Sequence, residues 1–209
     1  MMEHTLITIG RQFGSGGHEV GNRLAERLDI PLYDHNLLRM AARELGVSDE
    51  DVAKVDETML GRFLSGYVAG SGEYTAFMSG EEAGRPLSDR LFEAQSELIR
   101  RLAQRGPGIF VGRCADYIFR DHRNVLNTYI YAPVDARYKN CVEVLKMKPE
   151  EATKMIYKVD KARTAYHKRY AKYAPGDLDS KQIMIDSSML GVKGTAEVLA
   201  EIVQRRFGL

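Results

Sequence analysis

Thr5-Leu6-Ile7-Thr8-Ile9-Gly10-Arg11-Gln12-Phe13-Gly14-Ser15-Gly16-Gly17-His18-Glu19-Val20 is the stretch on which the reading of this chain turns. Its first five residues are short, apolar and β-branched, as a buried strand requires. Gly10 to Gly17 then holds four glycines among eight residues, too many for helix or strand. From His18 onward, Val20, Leu24 and Leu28 recur at the spacing of an amphipathic helix. A glycine loop between a strand and a helix lets backbone N–H groups turn around a phosphate, and the helix N-terminus adds partial positive charge. The plain alternative is a tight strand-to-helix turn that binds nothing, but four glycines exceed what such a turn needs. Gly14, Ser15, Gly16, Gly17, His18, Glu19 and Val20 are therefore the expected phosphate-binding set.

Working outward, Pro31-Leu32-Tyr33 is a second, brief strand, and Asp34 is placed to cap the helix after it. Between about Gly46 and Asp89 the periodicity weakens and glycines recur, which predicts a mobile insertion. Leu91, Ala94, Leu98 and Leu102 form one face of a helix that Gly106-Pro107-Gly108 ends. Ile109-Phe110-Val111 and Val125 to Tyr131 are further strands. Asp135 to Ala174 is helical, with a break at Lys148-Pro149 where proline restarts a helix. Ile183-Met184-Ile185 is the last strand, and Gly194 to Phe207 the closing helix. Strands alternating with helices predict a parallel α/β sheet in three layers, with ligands beyond the carboxyl ends of its strands.

The 209 residues are 44% hydrophobic and 28% charged, enough to bury a core, so disorder is excluded. Lys and Arg total 30 against 29 acids, which gives no global reason to expect nucleic acid or anionic lipid as partner. Cys114 and Cys141 have neither disulfide-scaffold nor metal-ligand spacing. With no apolar run near the roughly 20 residues of a membrane span and no signal-like N-terminus, a cytoplasmic location is expected.

The ATP-type loop G-x-x-x-x-G-K-[ST] is matched only in part, since His18 stands for the lysine and Glu19 for the hydroxyl residue. The dinucleotide pattern G-x-G-x-x-G fails at Glu19. After the buried strand Ile109-Phe110-Val111, Arg113 follows Gly112 to the ligand edge of the sheet, where its planar fork could clamp a phosphate or form a surface salt bridge. Asp34, also at a strand end, could orient substrate as well as cap its helix.

Ile7 to Val20, then Ile30-Pro31-Leu32-Tyr33-Asp34, Phe110-Val111-Gly112-Arg113-Cys114-Ala115, Asp160-Lys161-Ala162-Arg163 and Ile185 to Gly191 together resemble the cytidylate kinase-like family of P-loop proteins. The resemblance covers essentially the whole chain. It implies a single P-loop kinase domain over 1–209, with core segments 1–45, 91–134 and 182–209. A helical substrate-binding insertion would occupy 46–90 and a helical lid 135–176. The implied reaction transfers the ATP γ-phosphoryl group to CMP or dCMP with Mg²⁺. Cytidylate kinases proper carry a loop lysine and an acidic residue after Gly-Arg, where this chain has His18 and Cys114.

Such chemistry needs charge neutralisation and in-line positioning above all. Arg11, beside the loop, is expected to take over the work of the lysine, with His18 as a partly charged helper or a solvated helix-start residue. Ser15 or water would hold Mg²⁺. The resemblance places Asp160 near the substrate sugar, Arg163 on the transferring phosphates and Arg39 on the acceptor phosphate. Asp160, Arg163 and His167 share a helical face within a lysine-rich run from Lys154 to Lys172, which either closes over the triphosphate or is simply solvated. Tyr157, Tyr166, Tyr170 and Tyr173 interleave with these cations without an RNA-binding motif, so nucleic acid is not expected. Tyr and Phe between Arg62 and Phe77 would permit a homodimer. Two other readings stay open: a catalytically silent phosphate- or nucleotide-binding module acting through a partner, and a dinucleotide-dependent oxidoreductase with Asp34 on the ribose.

Overall fold

A computed structural model describes residues 4–34, 36–48 and 86–208. Five strands, β1 (Leu6–Arg11), β2 (Leu32–Tyr33), β3 (Gly108–Val111), β4 (Val125–Tyr131) and β5 (Ile183–Asp186), form one sheet in the order β2-β3-β1-β4-β5. Every pairing is parallel, as the alternation of strand and helix predicts. The described helices are α1 (Gly17–Leu28), α2 (Asn36–Glu44), α3 (Leu87–Arg105), α4 (Ala115–Ile118), α5 (Val134–Glu143), α6 (Pro149–Ala171) and α7 (Ser187–Phe207). Most of the insertion lies outside the described residues, including the aromatic segment on which the homodimer rests.

The two-residue period of the strands sorts their side chains onto opposite faces. Ile7 and Ile9 of β1 and Ile109 and Val111 of β3 join Val20, Leu24, Leu199 and Val203 in one core, between the sheet and α1 with α7. Leu6 and Phe110 point the other way, into a second core with Leu37, Ile99, Ala115 and Ile118 from α2, α3 and α4. A smaller cluster of Cys141, Met147, Ala152 and Ile156 binds α5 to α6 and packs against Phe13 of the glycine loop. The loop thus rests on the base of the α5–α6 hairpin.

Two helices begin earlier than their apolar spacing indicates. α3 starts at Leu87, because Pro86 (φ −55°, ψ 140°) supplies an extended residue on which a helix can begin. α7 starts at Ser187, because the Asp186 carboxylate accepts the Ser188 N–H at 2.8 Å and caps it. Gly191 (φ 65°, ψ 176°) then breaks the helical path, and a second segment continues to Phe207.

β1 is central, paired with β3 on one side and β4 on the other. After β1 the chain turns into α1 on one face of the sheet, and after β3 it turns into α4 on the other. Where neighbouring strands send their connections to opposite faces, a crevice opens at their carboxyl ends. Arg11 ends β1 there, and Gly112-Arg113 follows β3.

Leu199 is fully buried in the core under α7, remote from this crevice. Leu199→Ala is expected to cost about 3 kcal/mol of stability, read as a lowered urea midpoint with an unchanged slope.

Candidate functional site

The loop after β1 is held from outside by its own backbone oxygens. Ser15 Oγ donates to Gln12 O at 2.9 Å and to Ile130 O at 3.2 Å, Ser187 Oγ donates to Ser15 O at 2.6 Å, and Asn140 Nδ2 donates to Gly14 O at 2.9 Å. The Gln12 side chain accepts the Ala132 N–H at 3.1 Å. Gly14 has φ 77°, and a Cβ there would lie 2.9 Å from both Arg137 O and Cys141 Sγ, so a side chain is excluded twice over. Gly16 precedes α1 with φ 74° and offers no side-chain cap. The first-turn N–H groups of α1, which have no intrahelical acceptor, therefore stay open for an anion, and Gly16, Gly17 and His18 line a cavity of about 1010 Å³. The loop residues fit a polyphosphate.

Three arginines from three elements meet at this cavity. Arg11 ends β1, Arg113 follows β3, and Arg163 lies on α6, where its Nη1 donates to Arg11 O at 3.2 Å. The Arg11 guanidinium lies so close over Gly112 (φ 73°) that a Cβ there would be 2.0 Å from Arg11 Nη1. Burial, then the nearby positive charges of Arg163 and Arg113, pull the Arg11 guanidinium well below its ordinary value, with Asp34 opposing. Burial lowers Arg163 to about 10 against the pull of Asp160, and its Nε is buried without a partner among the described residues. At about 10, Arg163 remains cationic at neutral pH. Such a crowd of charges is an electrostatic trap for an anion with several negative oxygens.

The other sequence-derived candidates take varied places. Arg39 is exposed and lines the cavity. His18 sets Nε2 2.9 Å from Asp34 Oδ2, so the residue in the lysine position is tied to the end of β2. Asp34 also accepts the Asn36 N–H at 3.1 Å, so it caps α2 as well. Val20 is core. Glu19 pairs with Arg23 at 3.2 Å on the exposed face of α1.

Two expectations are corrected. The Ser15 hydroxyl is buried and donates into two carbonyls, so it is turned away from any metal held at the cavity. Among the described residues no group of three His, Cys, Asp or Glu side chains could hold a metal. Asp160 accepts the Phe13 N–H at 2.7 Å with one oxygen and the Arg137 guanidinium with the other. Both oxygens serve the loop, where a sugar contact was expected.

Arg137, Asn140 and Ser187 brace the loop, and sequence reasoning passes over them. The signal present is the spacing of Arg137, Asn140 and Cys141 on one face of α5, which a basic run read as lid obscures. Asp116 was also missed. Its buried carboxylate takes Lys181 Nζ at 2.6 Å, His167 Nε2 at 3.0 Å and the Tyr173 hydroxyl at 3.2 Å. His167 turns its other ring nitrogen to Tyr173 O at 2.8 Å. Burial pushes the Asp116 carboxyl up, but the hydrogen bonds and charges of His167 and Lys181 outweigh it and hold the group at about 2. The tyrosines of α6 pack inward: Phe92 stacks on Tyr170 with ring centroids 3.9 Å apart and meets Tyr166 edge-on. Tyr157 stays exposed, as do Lys154, Lys158, Lys161 and Lys168. So one face of α6 is solvated while the Asp160–Arg163–His167 face closes on the loop.

A profile of the cytidylate kinase-like family matches residues 6–189. No protein with a curated description matches the chain. Among solved structures, an uncharacterized protein from Eubacterium ventriosum is 27% identical and has a TM-score of 0.69, covering 96% of this chain and 99% of its own. A gluconokinase from Sinorhizobium meliloti is 12% identical with a TM-score of 0.54, covering 99% of this chain and 98% of its own. Shikimate kinase from Acinetobacter baumannii, solved with shikimate, is 13% identical with a TM-score of 0.52, covering 98% and 95%. The fold is that of the P-loop kinases.

Asp116 gives the acid limit of stability a definite source. A carboxyl lowered from 3.8 to about 2 stabilises the fold above pH 4, and that stabilisation disappears as pH falls toward 2. Asp116→Asn is expected to cost about 3 kcal/mol at pH 7. The gap to the parent should narrow steadily between pH 4 and pH 2 in urea titrations.

Proposed function

The chain belongs to the cytidylate kinase-like family, and from that premise we propose that it transfers the ATP γ-phosphoryl group to a nucleoside monophosphate, with CMP or dCMP as preferred acceptor. The observation that carries this reading is the convergence of Arg11, Arg113 and Arg163 on a glycine loop whose N–H groups are open to the cavity. Phosphoryl transfer spreads charge over the equatorial oxygens of the moving group, and cations fixed in place supply most of its stabilisation. Arg11 and Arg163 neutralise the transferring phosphate, with His18 beside them at the start of α1. Arg113, on the β3 side of the crevice, holds the acceptor phosphate, and Arg39 lines the same cavity. α6 acts as the lid, with Asp160 fixing the loop beneath it.

The carboxylates support a phosphate acceptor over an alcohol. A hydroxyl nucleophile needs a base to take its proton, whereas a phosphate oxygen arrives already anionic. Asp34 is paired with His18, Glu19 with Arg23, and Asp116 lies under Lys181 and His167. Kinases of this fold usually use Mg²⁺, and here the ion would be carried by nucleotide oxygens and water. Among the described residues no helix is long and apolar enough to cross a membrane, and two free, buried thiols accord with a reducing cytoplasm.

A second reading has its own observation. With the loop histidine bound to Asp34 and the Ser15 hydroxyl turned into the backbone, the chain would bind a nucleotide and pass no phosphoryl group. A coupled assay with ATP and Mg²⁺, run over nucleoside monophosphates together with gluconate and shikimate, separates the two. CMP or dCMP should give the highest kcat/KM; ATP binding with no turnover on any acceptor would establish the second reading. Arg11→Ala should lower kcat/KM about a hundredfold. Arg113→Ala should raise KM for the acceptor far more than KM for ATP, and equal losses would remove Arg113 from the acceptor side.

A further inference from the structure

The turn that carries Arg113 is costly. Gly112, Arg113 and Cys114 are three consecutive residues in the left-handed region, at φ 73°, 56° and 55°. Glycine accepts that conformation readily; the two residues with side chains do not. Such a backbone persists only where its surroundings over-determine it. The turn is followed at once by α4, a single turn of helix with Asp116 near its start.

Asp116 is held from three separate parts of the chain. His167 comes from α6, Tyr173 from the segment after it, and Lys181 from the approach to β5. Lys181 also donates to Ser180 Oγ at 2.7 Å, and its side chain is 1% exposed. The two ring nitrogens of His167 meet Tyr173 O and the Asp116 carboxylate, so the imidazole is fixed from both sides. On the helical face of α6, His167 lies one turn beyond Arg163. One carboxylate is therefore joined to Arg113 through the strained turn and to Arg163 through one turn of helix. Cys114, Asp116 and His167 line the same cavity as the two arginines.

We propose that Asp116 is a positioning residue: clasped by His167, Tyr173 and Lys181, it fixes the Arg113 turn and the Arg163 face of α6 at one spacing, the spacing that receives neighbouring phosphates. In its catalytic meaning this rests on the kinase reading above, but the spacing itself is open to a probe that needs no turnover. Pyrophosphate presents two linked phosphates and no base. Misplacing fixed charges by an ångström costs up to about a hundredfold in a pre-organised site. The clasp should therefore show in the affinity for this anion.

The experiment is calorimetric titration of pyrophosphate into the parent chain, Asp116→Asn, Asp116→Glu and Lys181→Met, below the unfolding temperature of each. Leu199→Ala serves as a control of similar instability on the other side of the sheet. Asp116→Asn and Lys181→Met should bind about tenfold or more weakly, Asp116→Glu should recover part of the loss, and Leu199→Ala should stay within about twofold of the parent. Should Asp116→Asn not fold, Lys181→Met and Asp116→Glu carry the comparison. Parent-like affinity in folded Asp116→Asn or Lys181→Met, or an equal loss in Leu199→Ala, would overturn the assignment. Absence of pyrophosphate binding by the parent would overturn both this and the kinase reading. Binding by the parent without turnover on any acceptor would remove the kinase reading alone and leave the clasp to be judged by its variants.

Discussion

Mutual repulsion among Arg11, Arg113 and Arg163 is the constraint around which the molecule is arranged. Like charges brought together are unfavourable, and Arg163 and Arg113 add to the burial that chiefly depresses the Arg11 guanidinium. The fold tolerates the crowd because each arginine is fixed by something other than its charge. Arg11 is held by strand pairing, Arg163 by its bond to Arg11 O, and Arg113 by the turn above Asp116. On the proposed reading, a bound polyphosphate would relieve the repulsion. Pre-organisation of this kind puts the electrostatic cost into folding and leaves little reorganisation for the moment of reaction.

The sheet order makes that arrangement available. A central β1 with β3 and β4 beside it brings the ends of two strands within reach of one anion, and the departure of α1 and α4 to opposite faces keeps the space between them open. The α5–α6 hairpin adds the third side. Its small apolar cluster reaches Phe13, while Asp160, Arg137 and Asn140 bond to the loop backbone. The loop and the base of the α5–α6 hairpin are thus one packed unit.

Most of the architecture was legible in the sequence because periodicity reports burial directly. The strand at Leu6 to Ile9, the face of Val20 and Leu24, and the break at Pro149 all follow from patterns that packing rewards. Helix starts were less legible: Asp186 begins α7 through one side-chain hydrogen bond, which leaves no apolar repeat to detect. The site divides along the same line. Glycines and strand-end arginines show themselves by type and position. Asp116, Lys181 and Arg137 do not, since each owes its role to partners tens of residues away. Asp160 is a related case: family analogy offers a sugar contact, while one of its oxygens takes the Phe13 N–H of the loop and the other the Arg137 guanidinium.

Under the proposed kinase reading, Arg11 carries the charge that a loop lysine would supply. A lysine at the start of α1 would be a point charge on a flexible stem, able to follow phosphate as it moves. Arg11 emerges from the end of a paired strand and presents a planar fork whose direction is set before any ligand arrives. That fork needs room, and the room is Gly112, where any side chain would collide with the guanidinium. The same glycine also opens the left-handed run that aims Arg113. Gly112 is therefore required for two separate reasons, and both serve phosphate geometry. A module that only retained nucleotide would need the N–H cradle of the loop and little more. Fixed forks on both sides of the crevice, braced at the expense of two strained residues, are what the proposed in-line transfer between two phosphates would use.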